Sequence, residues 1–268
     1  MTSTYLKSDP TDNESFDPEA YTKPSSQTAV NHKKFMPDFV NTSADMVSIA
    51  QRLLLVGEFK GANFLFHGPS GTGKTEFGRY IAKLLNKPLM VVHTGDILFS
   101  RLGVSERVIN KFFKEASKAG QVLIFDEADS FLYDRRQVDR QWERQLINEF
   151  LRHIEEHDQP LICTTNLLEE LDPAMLRRFM FKVEFKPLEG EQAKRAFKHY
   201  FKVEAPDYMG KLGNLTLGDF GIVQKKAAVL GYLHDVPALC QLFYEEALAR
   251  HTASEAKAKA RASKKNAA

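Results

Sequence analysis

Residues 63–75 read Asn63-Phe64-Leu65-Phe66-His67-Gly68-Pro69-Ser70-Gly71-Thr72-Gly73-Lys74-Thr75, and this stretch decides the fold. An apolar run, Phe64-Leu65-Phe66, ends at a glycine, and the loop leads into Glu76–Leu85 with apolar residues at helical spacing. Strand, glycine loop and helix form the context of a phosphate-binding loop. Its pattern GxxxxGK[ST] is matched by Gly68, Gly73, Lys74 and Thr75. From Gly68 through Pro69, Ser70, Gly71, Thr72 and Gly73 the backbone is expected to turn its N–H groups inward around phosphate oxygens. The helix N-terminus adds partial positive charge there. Lys74 is expected to neutralise the β- and γ-phosphates of ATP, and the Thr75 hydroxyl to coordinate Mg²⁺. The bland alternative, a glycine-rich turn without a ligand, leaves the agreement of motif and context unexplained.

Outward from this loop, the 268-residue chain fits one large domain or two small ones. Its 43% hydrophobic and 27% charged residues are ordinary for a soluble globular protein. A formal net charge of +2 gives no global argument for nucleic acid. No apolar run approaches membrane-spanning length, and the N-terminus has no signal-peptide pattern. Cys163 and Cys240 are expected as buried thiols in a reducing compartment, hence a cytoplasmic protein.

Residues 1–35 lack periodicity and read as a flexible arm, with Tyr5, Phe16 and Tyr21 spaced like anchors of a docking segment. Residues 36–187 then alternate strands and helices, which predicts a parallel sheet covered by helices. Val47–Leu55 is a short amphipathic helix, Pro88–His93, Val122–Asp126 and Pro160–Thr164 are strands, and Phe181–Phe185 alternates like a strand near a sheet edge. Residues 188–250 carry helical patterns alone, at Glu191–Val203, Phe220–Leu230 and Val236–Arg250, and read as a small lid subdomain. Residues 251–268 are a basic Ala/Lys-rich tail, either a helical extension or a frayed end.

The third strand delivers two carboxylates. Asp126 is expected beside the phosphate loop, holding Mg²⁺ directly or through water. Glu127, one residue on, points elsewhere and suits activation of an attacking water. Asp129 is assigned to structure or subunit contact. At the tip of the next strand, the Asn166 amide is placed to contact the γ-phosphate and that water. In Asp172-Pro173-Ala174-Met175-Leu176-Arg177-Arg178, Asp172 caps a short helix that ends in two arginines. Such arginines serve either as helix-dipole partners or as residues that reach a phosphate in trans.

Together these residues resemble the AAA+ ATPases, and within them the AAA clade, from about residue 40 to 250. The segments Asp126–Leu132, Arg135-Arg136, Trp142, Thr165-Asn166-Leu167 and Arg177-Arg178-Phe179 also resemble a group of bacterial AAA proteins. The resemblance implies a P-loop NTPase fold, α/β, with a five-stranded parallel sheet of order 5-1-4-3-2 and a helical lid. It implies Glu127, Asn166, Arg177 and Arg178 as catalytic residues, the two arginines acting on ATP bound to the neighbouring subunit of a homo-oligomeric ring, usually a hexamer. It also places Thr94 near a switch residue and His199 near a nucleotide-contacting histidine.

Two departures stand out. Arg101 occupies the place of the aromatic in the central substrate-threading loop, with Phe99 two positions early. Gly218-Asp219-Phe220 matches a lid motif without a sensor-2 arginine, and Lys225 and Lys226 lie one turn or more further on. Three functions remain open: remodelling or activation of a protein partner, recognised directly or through an adaptor; a nucleic-acid motor, loader or transposition- or defence-type regulator, supported by the basic tail alone; and a non-cycling scaffold. An intact Glu127, Asn166, Arg177 and Arg178 speak against the last.

Overall fold

The computed structural model describes residues 35–93, 97, 104–130 and 141–266. Residues 1–34 of the expected arm, Thr94, the loop positions Phe99 and Arg101, and Arg135-Arg136 lie outside the described residues. Five strands run parallel: β2 (Asn63–His67), β3 (Leu89–His93), β4 (Val122–Asp126), β5 (Leu161–Thr165) and β6 (Phe181–Lys186). Their spatial order is β6-β2-β5-β4-β3, the expected arrangement. One element is added. The two-residue strand β1 (Asn41–Thr42) pairs antiparallel with β6, so the sheet has six strands rather than five. Two residues are too few to show a period-2 pattern. β1 is held by tertiary hydrogen bonds instead: Asn41 Nδ2 donates to Pro187 O at 3.1 Å, and Ser43 N to Glu184 O at 2.9 Å.

The helices are α1 (Met46–Val56), α2 (Lys74–Leu84), α3 (Val104–Lys118), α4 (Gln141–Glu156), the single turn α5 (Pro173–Leu176), α6 (Gly190–Phe201), α7 (Leu217–Leu230) and α8 (Val236–Asn266). The central strands are apolar on both faces because both faces are covered. On one side Phe64, Phe66, Ile124 and Ile162 meet Phe77 and Ile81 of α2 and Met46 and Ala50 of α1. On the other, Leu65, Leu123, Phe125 and Cys163 meet Phe112 and Phe113 of α3 and Ile147, Phe150 and Ile154 of α4. A third core belongs to α6–α8, where Phe197, Phe201, Phe220 and Phe243 pack together. Both cysteines are buried free thiols. No helix among the described residues is long and apolar enough to cross a membrane.

Most boundaries shift by one or two residues from the sequence reading, and two move by three or more. α7 starts at Leu217, three residues before Phe220, because Thr216 and Asp219 form a capping box. Thr216 N and Oγ1 both donate to Asp219 Oδ2, at 2.6 and 2.9 Å. Arg250 of α8 faces the same carboxylate at 3.1 Å, which ties α8 to the start of α7. α8 itself continues to Asn266, so the basic segment is a helical extension in its backbone.

The Phe125 ring, fully buried, lies 4.8 Å from Phe150 edge-on and 5.4 Å from Phe113. Phe125→Ala is expected to cost about 3–5 kcal/mol, the usual loss for deleting a core aromatic. Urea unfolding should show it as a lower midpoint with an unchanged slope.

Candidate active site

The site forms where the parallel register brings strand ends together. His67 lies opposite Thr165 across the β2–β5 pair, and His93 opposite Asp126 across β3–β4. The loop from Gly68 to Gly73 springs from this edge. Gly68 has φ +133°, and a Cβ there would sit 2.1 Å from the Phe185 carbonyl oxygen, so no other residue fits. Gly73, at φ +91°, then starts α2 with Lys74 as the first helical residue.

Lys74 is buried, and its ammonium donates to Gly68 O at 2.8 Å, Pro69 O at 2.9 Å and Asn166 Oδ1 at 2.7 Å. Burial pushes its pKa down to about 8, against the opposing pull of Asp126, Asp129 and Glu127. Asn166 and Lys74 are 92 residues apart in sequence, and the strand order β2-β5 makes them neighbours. Thr72 Oγ1 closes the loop by donating to Pro69 O at 2.8 Å.

Asp126 is the second focus. Its Oδ1 accepts from Thr75 Oγ1 and from Thr164 Oγ1, each at 2.6 Å. His93 Nδ1 stands 3.6 Å from Oδ2. The sequence reading missed Thr164 and His93 as partners of Asp126. The available signal was positional, since both stand at strand ends flanking Asp126 in a parallel sheet. Glu127 follows with φ +56°, a left-handed backbone that a non-glycine residue adopts at a cost. Its N–H donates to Thr164 Oγ1 at 3.0 Å. Asp129 Oδ1 accepts from Asn166 N at 3.4 Å. A hydroxyl and a carboxylate in direct contact are hard oxygen donors of the type Mg²⁺ takes, so Thr75 and Asp126 fit that ion.

The lid closes against the loop from another side. Gly218 N, in the first turn of α7, donates to Gly71 O at 2.8 Å. A Cβ on Gly71 would meet Thr216 Oγ1 at 2.7 Å. His199 of α6 packs edge-on to Phe39, ring centroids 5.4 Å apart. Lys226 pairs with Glu246 of α8.

Arg177 and Arg178 are not brought to this site. Asn63, the first residue of β2, donates through Nδ2 to Ile154 O at 2.9 Å and to Arg178 O at 3.5 Å. The arginines therefore stand at the N-terminal edge of the sheet, and the phosphate loop leaves its C-terminal edge. Five residues of strand separate the two edges by roughly 13 Å, beyond the reach of an arginine side chain. Arg178 pairs with Glu155, and both arginines line an open cleft of about 760 Å³ with Asn63, Ala174 and Met180.

Residues 64–187 match the family model described as "ATPase family associated with various cellular activities (AAA)". The chain carries an AAA ATPase domain. A 26S proteasome regulatory subunit homologue of Methanothermobacter thermautotrophicus is 32% identical to it over 165 residues, covering 58% of this chain and 44% of the relative. ATPase family AAA domain-containing protein 3 of Caenorhabditis elegans is 36% identical over 145 residues, covering 52% and 24%. The chain thus spans less than half the length of these relatives. Its fold is also that of the solved FIGL-1 AAA domain in complex with ADP, with a TM-score of 0.60 over 84% of this chain and 83% of that one at 21% identity.

The lowered pKa of Lys74 gives a pH prediction. Below about 8 the amine is already charged, and phosphate binding needs no further proton. Above it, binding must draw a proton from solution, so affinity falls as pH rises, towards about tenfold per unit. Titration calorimetry of ATP binding in buffers of different ionisation enthalpy should show proton uptake at pH 9 and little at pH 7.

Proposed function

We propose that this chain is a ring-forming ATPase that couples ATP binding and hydrolysis to remodelling or activation of a protein partner. The observation that carries this reading is the split between its halves. Lys74, Thr75, Asp126 and Asn166 converge at one edge of the sheet, and Arg177 and Arg178 stand exposed at the other. A second copy presenting its arginine edge to the phosphate loop completes a site that one chain leaves in two parts. Exposed apolar residues favour association too: Leu54, Leu55 and Val56 end α1, with Leu55 87% exposed. The ring is proposed to be a hexamer. The proteasome regulatory subunit homologue among the relatives supports a protein as the substrate.

In this mechanism Lys74 exchanges its carbonyl and Asn166 contacts for phosphate oxygens. The loop N–H groups hold the same phosphates, as the ADP in the FIGL-1 structure supports. Thr75 and Asp126 would hold Mg²⁺, which when bound neutralises phosphate charge. Glu127 takes the proton of the attacking water. Its backbone is left-handed, at φ +56°, directly after the metal-holding Asp126. Asn166 orients the water and the γ-phosphate. Arg177 and Arg178 of the adjoining copy stabilise the charge that develops on the transferred phosphoryl group.

Glu127→Gln should retain ATP binding and lose at least about 10²-fold in turnover, the usual contribution of a general base. A steady-state phosphate-release assay checks this, and a rate within tenfold of the parent removes Glu127 from the role.

Arg177→Ala should bind ATP nearly normally and hydrolyse it about 10³-fold or more slowly. Lys74→Ala should fail to bind ATP. Mixed assemblies of the two variants, formed and confirmed by native mass measurement, should regain single-turnover hydrolysis. Mixed rings that stay inactive at every ratio contradict the trans arrangement, and parent-like turnover by Arg177→Ala removes that arginine from catalysis.

A further inference from the structure

The outer face of lid helix α6 bears Arg195, Lys198 and His199 at i, i+3 and i+4, and Lys202, the left-handed C-cap at φ +59°, follows directly after the helix. These four side chains line a shallow groove of about 410 Å³, and all four are basic types. Lys198 has an acidic partner in Glu204. Among the described residues Arg195 and Lys202 form no ion pair. Burial and the neighbouring Lys202 charge hold the His199 pKa below its ordinary value. The groove is thus a cationic surface with most of its charge uncompensated.

The chain enters the domain beside this groove. The turn Pro37–Phe39 packs on α6, and the Phe39 ring lies 5.4 Å from His199. Four residues earlier, Phe35 rests against Phe77 and Tyr80 at 6.2 and 6.1 Å. The described chain thus begins at the α2 side, four residues before its contact with α6. In the stretch before Phe35, Asp9-Pro10-Thr11-Asp12-Asn13-Glu14-Ser15-Phe16-Asp17-Pro18-Glu19 holds five carboxylates and no basic residue. The other segments outside the described residues are not acidic runs: residues 94–103 carry Asp96 and Arg101, and residues 131–140 carry two acids and three arginines.

We infer that the acidic segment Asp9–Glu19 docks into the basic groove of α6 in the same chain. Length permits it. From Glu19 to Phe35 is 35 − 19 = 16 residue steps, which reach about 53 Å fully extended. As a coil the same steps span about 22 Å. Phe39, which touches the groove, lies no more than about 13 Å beyond Phe35. Such a tether gives the segment an effective concentration near the millimolar range, so even a weak, salt-sensitive set of ion pairs is substantially occupied. Phe16, amid the five carboxylates, supplies an apolar contact for the lysine and arginine stems.

The test uses the full chain with a benzophenone photocross-linker in place of Phe16 (Phe16→p-benzoylphenylalanine). Irradiation should give adducts on residues 195–202, and a mixture of isotopically light and heavy chains should give only same-label adducts. Arg195→Glu with Lys202→Glu should lower the adduct yield at least about fivefold while circular dichroism stays unchanged. Replacing the five carboxylates with lysine in that background should restore it. If the double variant does not fold, the parent's own yield is read instead, and it should drop as NaCl rises from about 0.05 to about 0.5 M. Adducts joining light and heavy chains assign the groove to a second copy and overturn the inference. Adducts that map elsewhere, or that survive charge reversal and salt, overturn it too. So does a groove that binds added polyglutamate through Arg195 and Lys202 without any Phe16 adduct, because its occupant is then an external acidic partner.

Discussion

One carboxylate oxygen holds the nucleotide edge of this domain together. Asp126 Oδ1 accepts a hydrogen from Thr75, at the start of α2, and another from Thr164, near the end of β5. Three pieces of chain, α2, β4 and β5, are tied at one atom. Thr164 also accepts from Glu127 N, so the same hydroxyl helps hold the left-handed turn that follows Asp126. Hydrogen bonds to an ionised acceptor are among the stronger ones. This arrangement keeps a hydroxyl and a carboxylate together at the edge of the phosphate loop.

The same sheet that gathers these groups keeps the arginines away. Parallel strands put all their C-terminal ends on one edge, and Arg177 and Arg178 precede β6, which places them at the opposite edge. A short helix capped by Asp172, whose Oδ1 accepts from Ala174 N at 2.8 Å, sets their direction, and Asn63 anchors the Arg178 carbonyl. The proposed dependence of turnover on assembly thus follows from strand polarity.

The lid adds a third constraint. Its own aromatic core makes α6–α8 a cohesive unit, and among the described residues this unit meets the phosphate loop through the backbone bond from Gly218 N to Gly71 O and through close packing of Thr216 and Gly218 against Gly71 and of Leu217 against Gly73. The entering chain bridges the same two parts, since Phe35 rests on α2 and Phe39 on α6. The lid is thus in direct contact with the loop and with the chain entry, and the basic groove of α6 lies beside that bridge.

Much of this was legible in the chain because its signals are local. GxxxxGKT after an apolar run encodes a loop and a helix start within thirteen residues, and alternating strand and helix patterns dictate a covered parallel sheet. Asp172-Pro173 marks a helix start by chemistry confined to two residues. Tertiary structure decided what local pattern cannot carry. β1 exists because β6 offers it an edge, and α7 begins early because Thr216 and Asp219 cap one another under Arg250. Lys74 meets Asn166, and Asp126 meets His93 and Thr164, because strands distant in sequence lie side by side. Period and propensity are properties of neighbouring residues along a chain, and these contacts are properties of strand order, which arises only when the whole sheet packs.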